Sequence, residues 1–470
     1  MSDDGMAKLI DKIRHEDDSE AHKILRSYLG NQHKHAGEKK DVTPGLQAPG
    51  ATGVIYCSDR AAANGFSMDD PAWANLGQGA PEVGDLPGGP ERPKGIDFTQ
   101  FSTDIHEYAP TTGVKELREA VAVSLGAAKL MQNLYNVQYR QDCESKYTYE
   151  NVCIVPGGRA GLSRVAAVIG DVYTGYQIPE YTSYSEVLGV FKRLIPVPSA
   201  LKAEDNYRLN IDQLRSDIKL MSLHVIVASN PRNPTGQVIE GDELKELVRL
   251  GDGQTTVVLD EFYSWYQYSG EEGRSVSGAA YVGDVNKDSV VLIDGLTKGF
   301  RLPGWRVCWV VGPKPLISAI SQSGSFLDGG ANHPLQLAAI PLLDPERVQQ
   351  DRLSLQRAFK KKRDHVLARL AKMGLKVAVP PQATFYIWLD LEALGAPLHD
   401  GLTFFEELLK EKCIVVPGIF FDVNPSHRRN LLDSPCRHFV RLSFGPSMDV
   451  LDRGLDAIER VVKKHREGGT

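Results

Sequence analysis

Two stretches decide the fold: Leu223-His-Val-Ile-Val-Ala-Ser229, running into Asn230-Pro-Arg-Asn233-Pro-Thr-Gly236, and Thr255-Thr-Val-Val-Leu259, running into Asp260-Glu-Phe-Tyr263. Each opens with an almost continuous apolar run, the pattern of a strand covered on both faces, and Asp242 to Leu250 between them has helical periodicity. Buried strands alternating with helices predict a mostly parallel α/β sheet, and such sheets carry their working residues at the carboxyl ends of the strands. Asn233 and Asp260 therefore fall along one edge, and Asp260 either caps the next helix or stays ionised opposite a ring nitrogen.

The same grammar extends in both directions. Ser289-Val-Val-Leu-Ile-Asp294 is a further strand, and Lys298 follows it in a turn, with Arg306 eight residues later. A lysine withdrawn from water loses part of its preference for the charged form, and its neutral amine can condense with an aldehyde. Upstream, Val152-Cys-Ile-Val-Pro156 is a strand, and Gly157-Gly158-Arg159-Ala160-Gly161 leads into a helix over Leu162 to Ile169. A glycine turn at a helix start points free N–H groups at an anion, although the spacing matches neither the dinucleotide nor the Walker pattern. Ile178-Pro-Glu-Tyr181-Thr-Ser-Tyr184 offers a flat ring after another strand end.

Composition bounds the rest. The 470 residues exceed what one core normally supports, so a large and a smaller unit are expected. Lys+Arg 54 against Asp+Glu 60 gives no footprint for nucleic acid or an anionic membrane. The six cysteines are scattered without metal-ligand spacing, no apolar run has the length of a membrane span, and an acidic start argues against a transit peptide, so a cytoplasmic protein is expected. Leu9, Ile10, Ile13, Ile24, Leu25 and Leu29 predict a helix over 6–29, broken by the polar run from Gly30. From Val42 to Gly89 the Gly, Pro and Ala content predicts an extended segment, within which Asn75-Leu-Gly-Gln-Gly79-Ala-Pro81 permits close backbone approach. Val114 to Val123 reads as a helix with Leu117, Val121 and Leu125 on one side, and Pro345 to Met373 as a long basic helix with a solvated face. A strand over Ala383–Leu389, a helix over Phe404–Lys412, a strand over Phe439–Phe444 and a last helix from Asp449 complete an α/β layer.

From about Asn75 to about Ile458 these motifs, in this order, resemble the class I/II aminotransferases among the fold type I pyridoxal phosphate enzymes. The resemblance implies a large domain with a seven-stranded-type, mostly parallel sheet between helices. It also implies a smaller α/β domain built from the N-terminal segment and the C-terminal part. The expected division is 1–75 as helix and extended arm, 76–328 as the cofactor-binding domain and 329–470 as the small domain. Asn233-Pro-Thr-Gly236 is similar to the signature whose asparagine bonds the cofactor's 3′ oxygen and contacts the substrate. Asp260 and Tyr263 resemble the Asp-x-x-Tyr pair, one on the pyridine nitrogen and one on the 3′ oxygen. Lys298 resembles the Schiff-base lysine, Arg306 the phosphate arginine, Gly157-Gly158-Arg159 the phosphate loop, and Tyr181 the ring stacked on the cofactor. Tyr108 resembles the tyrosine lent to the phosphate by the second subunit of a homodimer, and Asn332 and His333 are further candidates for contacts across subunits. Arg441 is similar to the arginine that grips the substrate α-carboxylate, and Gly79 stands where a backbone group lies near it.

The activity implied is amino transfer between an L-amino acid and a 2-oxo acid, with pyridoxal 5'-phosphate as cofactor and no metal. The same site type also serves β-elimination, cyclisation or oxidation, and an aminotransferase-like domain can sense the cofactor in a regulatory protein. Two positions depart from the pattern. Gly295 stands where the family usually has a phosphate-binding serine, leaving water or Thr297 to replace it, and Arg159 faces the phosphate, the substrate side chain or solvent. Tyr181, Tyr184, Trp265 and Tyr266 would favour an apolar or aromatic donor, whereas Arg159 or Arg301 would receive a second carboxylate.

Overall fold

The computed structural model describes residues 19–34, 53–122, 134–191, 194–425 and 429–468. Its strands, in chain order, are β1 (Ala74–Asn75), β2 (Val152–Val155), β3 (Val172–Ile178), β4 (Leu194–Ala200), β5 (Leu223–Ser229), β6 (Thr256–Asp260), β7 (Val290–Gly295), β8 (Cys308–Val311), β9 (Tyr386–Asp390), β10 (Cys413–Ile414), β11 (Val416–Pro417) and β12 (Phe439–Ser443). Seven form one sheet in the order β2-β8-β7-β6-β5-β3-β4. Neighbours from β4 through β7 run parallel, and β8 is antiparallel to both β2 and β7. The expected mostly parallel sheet is present. Its central strands are buried as their sequences require: Val257, Val258 and Leu259 of β6 and Val290 to Ile293 of β7 are all inaccessible to solvent or nearly so.

Register sets up the site. Ser229 lies beside Asp260, and Asp260 beside Ile293, so β5 and β6 end level, β7 runs two residues further, and the turns after them lie at one edge. The helix Gly158–Val168 begins directly after the glycine turn, four residues before its expected start, and packs with Lys314–Leu327 near β2, β7 and β8.

The C-terminal part builds a separate three-stranded antiparallel sheet, β11-β12-β9, beside a parallel pair in which β1 joins β10, Ala74 opposite Cys413. An N-terminal segment is thereby sewn to a C-terminal one. The helix Pro345–Lys372 matches its expected span, but its inner face is wider than an apolar stripe. Lys362 is buried on it, donating to Glu82 Oε1 at 2.5 Å and to the Pro446 carbonyl at 2.6 Å. The last helix, Met448–Gly468, packs against it.

Two expectations about the arm need correction. The helix Glu20–Lys34 runs through Gly30 and the polar residues after it, because a single glycine costs a helix only about 1 kcal/mol. Within the stretch expected to be extended, Gly53–Ala63 is helical. Arg60-Ala-Ala-Ala favours helix, and Tyr56, Cys57 and Ala61 bury one face of it. The two helices pack through Tyr28 and Tyr56, edge to face at 5.0 Å, and His22 Nε2 meets the buried Asp400 Oδ2 at 3.0 Å. Leu9, Ile10, Ile13 and Leu125 lie outside the described residues.

Candidate active site

At the carboxyl edge of the sheet a cavity of about 330 Å³ is lined by Gly79, Gly158, Arg159, Tyr181, Asn233, Asp260, Tyr263, Lys298, Arg306 and Arg441, together with Ser229, Thr297, Tyr386 and Val54. Ten of the candidate residues read from sequence thus meet in one space. Gly157 is one residue behind it. Tyr108 is not among the lining residues: it is 95 % exposed on the surface of the single chain.

Lys298 comes from the turn after β7. Its Nζ donates to the Gly79 carbonyl and lies 5.9 Å from the centre of the Tyr263 ring. Burial, reinforced by the Arg441 guanidinium, brings its amine down to about 8, while Asp260 pulls the other way. Asp260, at the end of β6, accepts from Tyr184 Oη at 3.2 Å. Burial and the neighbouring Glu180 carboxylate push it up to about 7, a shift that a positive charge placed opposite would reverse.

The glycine turn and Arg306 come together. Gly157 is the N-cap of the helix Gly158–Val168 at φ 102°, a conformation that side chains resist. A Cβ there would fall 1.9 Å from Arg306 Nη2, so the missing side chain lets the guanidinium lie on the loop. Gly158 is equally constrained: its Cβ would meet the Phe262 ring at 2.3 Å. Arg159 projects from the first turn, exposed, with Nε donating to Tyr181 Oη at 3.3 Å. Arg441, on β12, donates Nη1 to Asn233 Oδ1 at 3.1 Å and Nη2 to the Gly77 carbonyl at 2.8 Å. Its guanidinium lies 4.2 Å above the Tyr386 ring, and its buried Nε has no partner.

These residues fit pyridoxal phosphate. A helix start with bare glycines and an arginine suits the phosphate, a buried carboxyl suits the ring nitrogen, an amine lowered by burial suits the aldehyde carbon, and the orphaned guanidinium nitrogen suits a substrate carboxylate.

Gly295 has a local explanation. It pairs with Cys308 across β7 and β8, and a Cβ on it would stand 2.5 Å from the Cys308 Cα, so a serine has no room. Thr297 lines the cavity instead, its Oγ1 3.2 Å from Cys308 Sγ. Arg301 does not face the site: it is fully buried, with Nη1 on the Glu82 and Gly84 carbonyls and Nη2 3.6 Å from Asp351. Trp265 and Tyr266 also lie behind it, Tyr266 Oη bonding the Lys298 carbonyl at 2.8 Å. Asn332 caps the helix His333–Ala339, and His333 Nδ1 meets the Glu107 carbonyl at 3.2 Å.

Sequence reasoning misses Tyr386, whose hydroxyl is 2.8 Å from that of Tyr263, and Val54, from the unforeseen helix. Tyr386 does lie inside a strand expected from sequence, on the alternate face that looks at the cavity.

Residues 71–458 match the family described as aminotransferase class I and II. The chain belongs to that family. With it, this aminotransferase depends on pyridoxal phosphate and moves amino groups between amino acids and 2-oxo acids. A probable aspartate/prephenate aminotransferase of Aquifex aeolicus is 26 % identical over 362 residues, covering 76 % of this chain and 84 % of that one. A probable N-acetyl-LL-diaminopimelate aminotransferase of Bacillus subtilis is 28 % identical over 385 residues, covering 80 % and 87 %. Among solved structures, an aspartate aminotransferase of Thermus thermophilus superposes with a TM-score of 0.70 at 23 % identity, covering 89 % of this chain and 100 % of the other, and shares the fold. No helix among the described residues is long and apolar enough to cross a membrane.

Proposed function

We propose that amino transfer runs through Lys298 and that Arg159 selects a donor with a second carboxylate. When bound, pyridoxal phosphate supplies an electron-accepting ring that weakens the Cα–H bond of an attached amino acid. The chain's own residues do the rest. Lys298 Nζ would hold the cofactor's aldehyde carbon and, once the substrate amine has replaced it there, would take the proton from Cα and deliver it to that carbon, two bonds away across the nitrogen, as base and then acid. Asp260 holds the ring nitrogen's proton, with Tyr184 steadying the carboxylate. Gly157, Gly158, Arg306 and the start of the helix hold the phosphate, Tyr181 covers a ring face, and Asn233 and Tyr263 bond the 3′ oxygen. Arg441 fixes the α-carboxylate, with Asn233 and the Gly79 backbone beside it, so that Cα–H stands across the ring plane.

The observation that carries the reading is a buried lysine, its amine brought down to about 8, in the same cavity as Asp260 and Arg441. For the donor, Arg301 is committed elsewhere, leaving Arg159 as the lining arginine not assigned to the phosphate or the α-carboxylate, and the Aquifex relative bears an aspartate name. A panel of L-amino acids against 2-oxoglutarate and pyruvate tests this: faster turnover of dicarboxylic donors supports it, and a preference for aromatic donors refutes it.

The assembly is read as a homodimer in which Tyr108 reaches the partner's phosphate site. Its exposure, beside the contact of His333 with Glu107, supports that reading, as does the exposed Phe326. The division into 76–328 and 329–470, with the arm joining the latter, is supported by the β1–β10 pairing. Six free cysteines support a reducing cytoplasm.

A further inference from the structure

One buried ion pair behind the site is not used by any of the roles above. Glu180, 0 % exposed, follows β3, and Arg232, 1 % exposed, lies in the turn after β5. The Glu180 carboxylate gathers donors from three directions. Oε1 accepts from the Tyr181 N–H at 2.9 Å and from Ser229 Oγ, while Oε2 accepts from the Ser229 N–H at 3.2 Å and Arg232 Nη1 at 3.3 Å. Ser229 Oγ in turn accepts from the Asn233 N–H at 3.3 Å. The Glu180 N–H donates to the Phe421 carbonyl at 3.0 Å, and the Phe421 ring stands 5.0 Å from the Arg441 guanidinium. One side chain therefore ties together the backbones that present Tyr181, Ser229 and Asn233, three walls of the cavity.

An apolar pair of the same size would hold these loops at less desolvation cost, since two buried charges are expensive unless each is fully bonded. Arg232 is not fully bonded: Nη1 also reaches Gln177 Oε1 at 3.4 Å, but its buried Nη2 has no partner. What an ion pair adds over an apolar one is a field. The negative member faces the active-site side, where Glu180 is the largest charged influence on Asp260, and the positive member faces away.

We propose that Glu180 is a positioning residue that also acts through its charge. Paired with Arg232, it holds Tyr181 and Asn233 in register and keeps a negative potential behind Asp260, favouring the protonated forms of the bound cofactor's ring nitrogen and of its link to Lys298. This rests on the reading of Asp260 and Lys298 given above. The charged and titratable groups facing the pair are Asp260 from β6, Tyr184 from the helix Ser183–Val190, Lys298 from the turn after β7, and Glu243 from the helix Gly241–Arg249, which acts on Arg232. Burial raises Glu180, and Arg232 with the Ser229 and Tyr181 donors opposes that rise.

The test is a spectrophotometric pH titration of the cofactor in the holoenzyme, with equilibrium binding of pyridoxal phosphate to the cofactor-free protein. Glu180→Gln removes the negative charge, so the midpoint of the cofactor's absorbance change moves down by about one pH unit. Arg232→Met strips Glu180 of the cation that keeps this buried carboxyl ionised, so it takes up a proton and the midpoint moves down as well, and the double variant, which has no ion pair and no field, stays at the lowered midpoint. A purely structural brace predicts weaker cofactor binding in both single variants with an unmoved midpoint, and that outcome overturns the proposal. Should Glu180→Gln not fold, the downward shift in Arg232→Met decides alone, and an unmoved midpoint there is refutation. A wild-type chain that takes up no cofactor overturns the reading of the site, and this inference with it.

Discussion

Lys298 donates from Nζ to the backbone carbonyl of Gly79, 219 positions earlier in the chain. A neutral carbonyl can hold either form of the amine, where a carboxylate would hold it charged. With Arg441 close by, the lysine is left able to lose its proton near neutrality. In the cofactor-free protein, carbamylation by cyanate at Lys298, followed by peptide mass spectrometry, should therefore rise through a midpoint near pH 8, the value to which the amine is lowered. A midpoint near that of the surface lysines would show that Lys298 is solvated.

Asp260 titrates in the opposite sense. Its folded value, about 7, lies above the ordinary carboxylate value of 3.8, so between these limits the folded chain binds more protons there than the unfolded chain. Stability from this group is complete below about pH 4 and is lost as pH rises through 7. Asp260→Asn, neutral and still able to accept from Tyr184, should make the cofactor-free protein more stable at pH 8 by about 2 kcal/mol in urea unfolding, with the gain vanishing near pH 4. Turnover should fall about 100-fold or more, because the ring nitrogen loses its counter-charge. Equal stability at both pH values would mean that the carboxyl is not the buried charge described.

Restoring a serine at Gly295 should harm the protein. The obstacle is the Cys308 backbone, 2.5 Å from the new Cβ, so Gly295→Ser must part β7 from β8. We expect a loss of about 2–3 kcal/mol in urea unfolding and no tighter cofactor binding. A stable variant with improved affinity would mean that the strand pair yields easily.

Arg441 and Arg159 should separate kinetically. Arg441→Ala should lower kcat/KM about 100-fold or more for every donor, since each has an α-carboxylate. Arg159→Ala should cost about 10-fold or more with dicarboxylic donors and little with alanine or phenylalanine. A uniform loss in Arg159→Ala would instead place that guanidinium on the phosphate.

The legible part of the molecule is the sheet and its edge. Strand and turn signals are local, so Leu223–Ser229 is readable to the residue, and the turns bearing Asn233, Asp260 and Lys298 follow from it. What escapes depends on distant partners. Gly53–Ala63 carries its helix signal inside a Gly- and Pro-rich neighbourhood, and its buried face is made by distant partners, Tyr28, Phe405 and Phe420. Arg301 is a reasonable reach for a second carboxylate until the carbonyls of Glu82 and Gly84 claim it, more than 200 positions away in sequence. Glu180 and Arg232 look like surface charges in the sequence, and only the meeting of the ends of β3 and β5 makes them a buried pair.

The central claim is that the cofactor is held by Lys298. Borohydride reduction of the holoenzyme, digestion and mass spectrometry should place a pyridoxyl group on the peptide containing Lys298, and Lys298→Ala should lose both the label and at least about 1,000-fold of kcat. A label on any other lysine, or an active and labelled Lys298→Ala variant, would contradict the account.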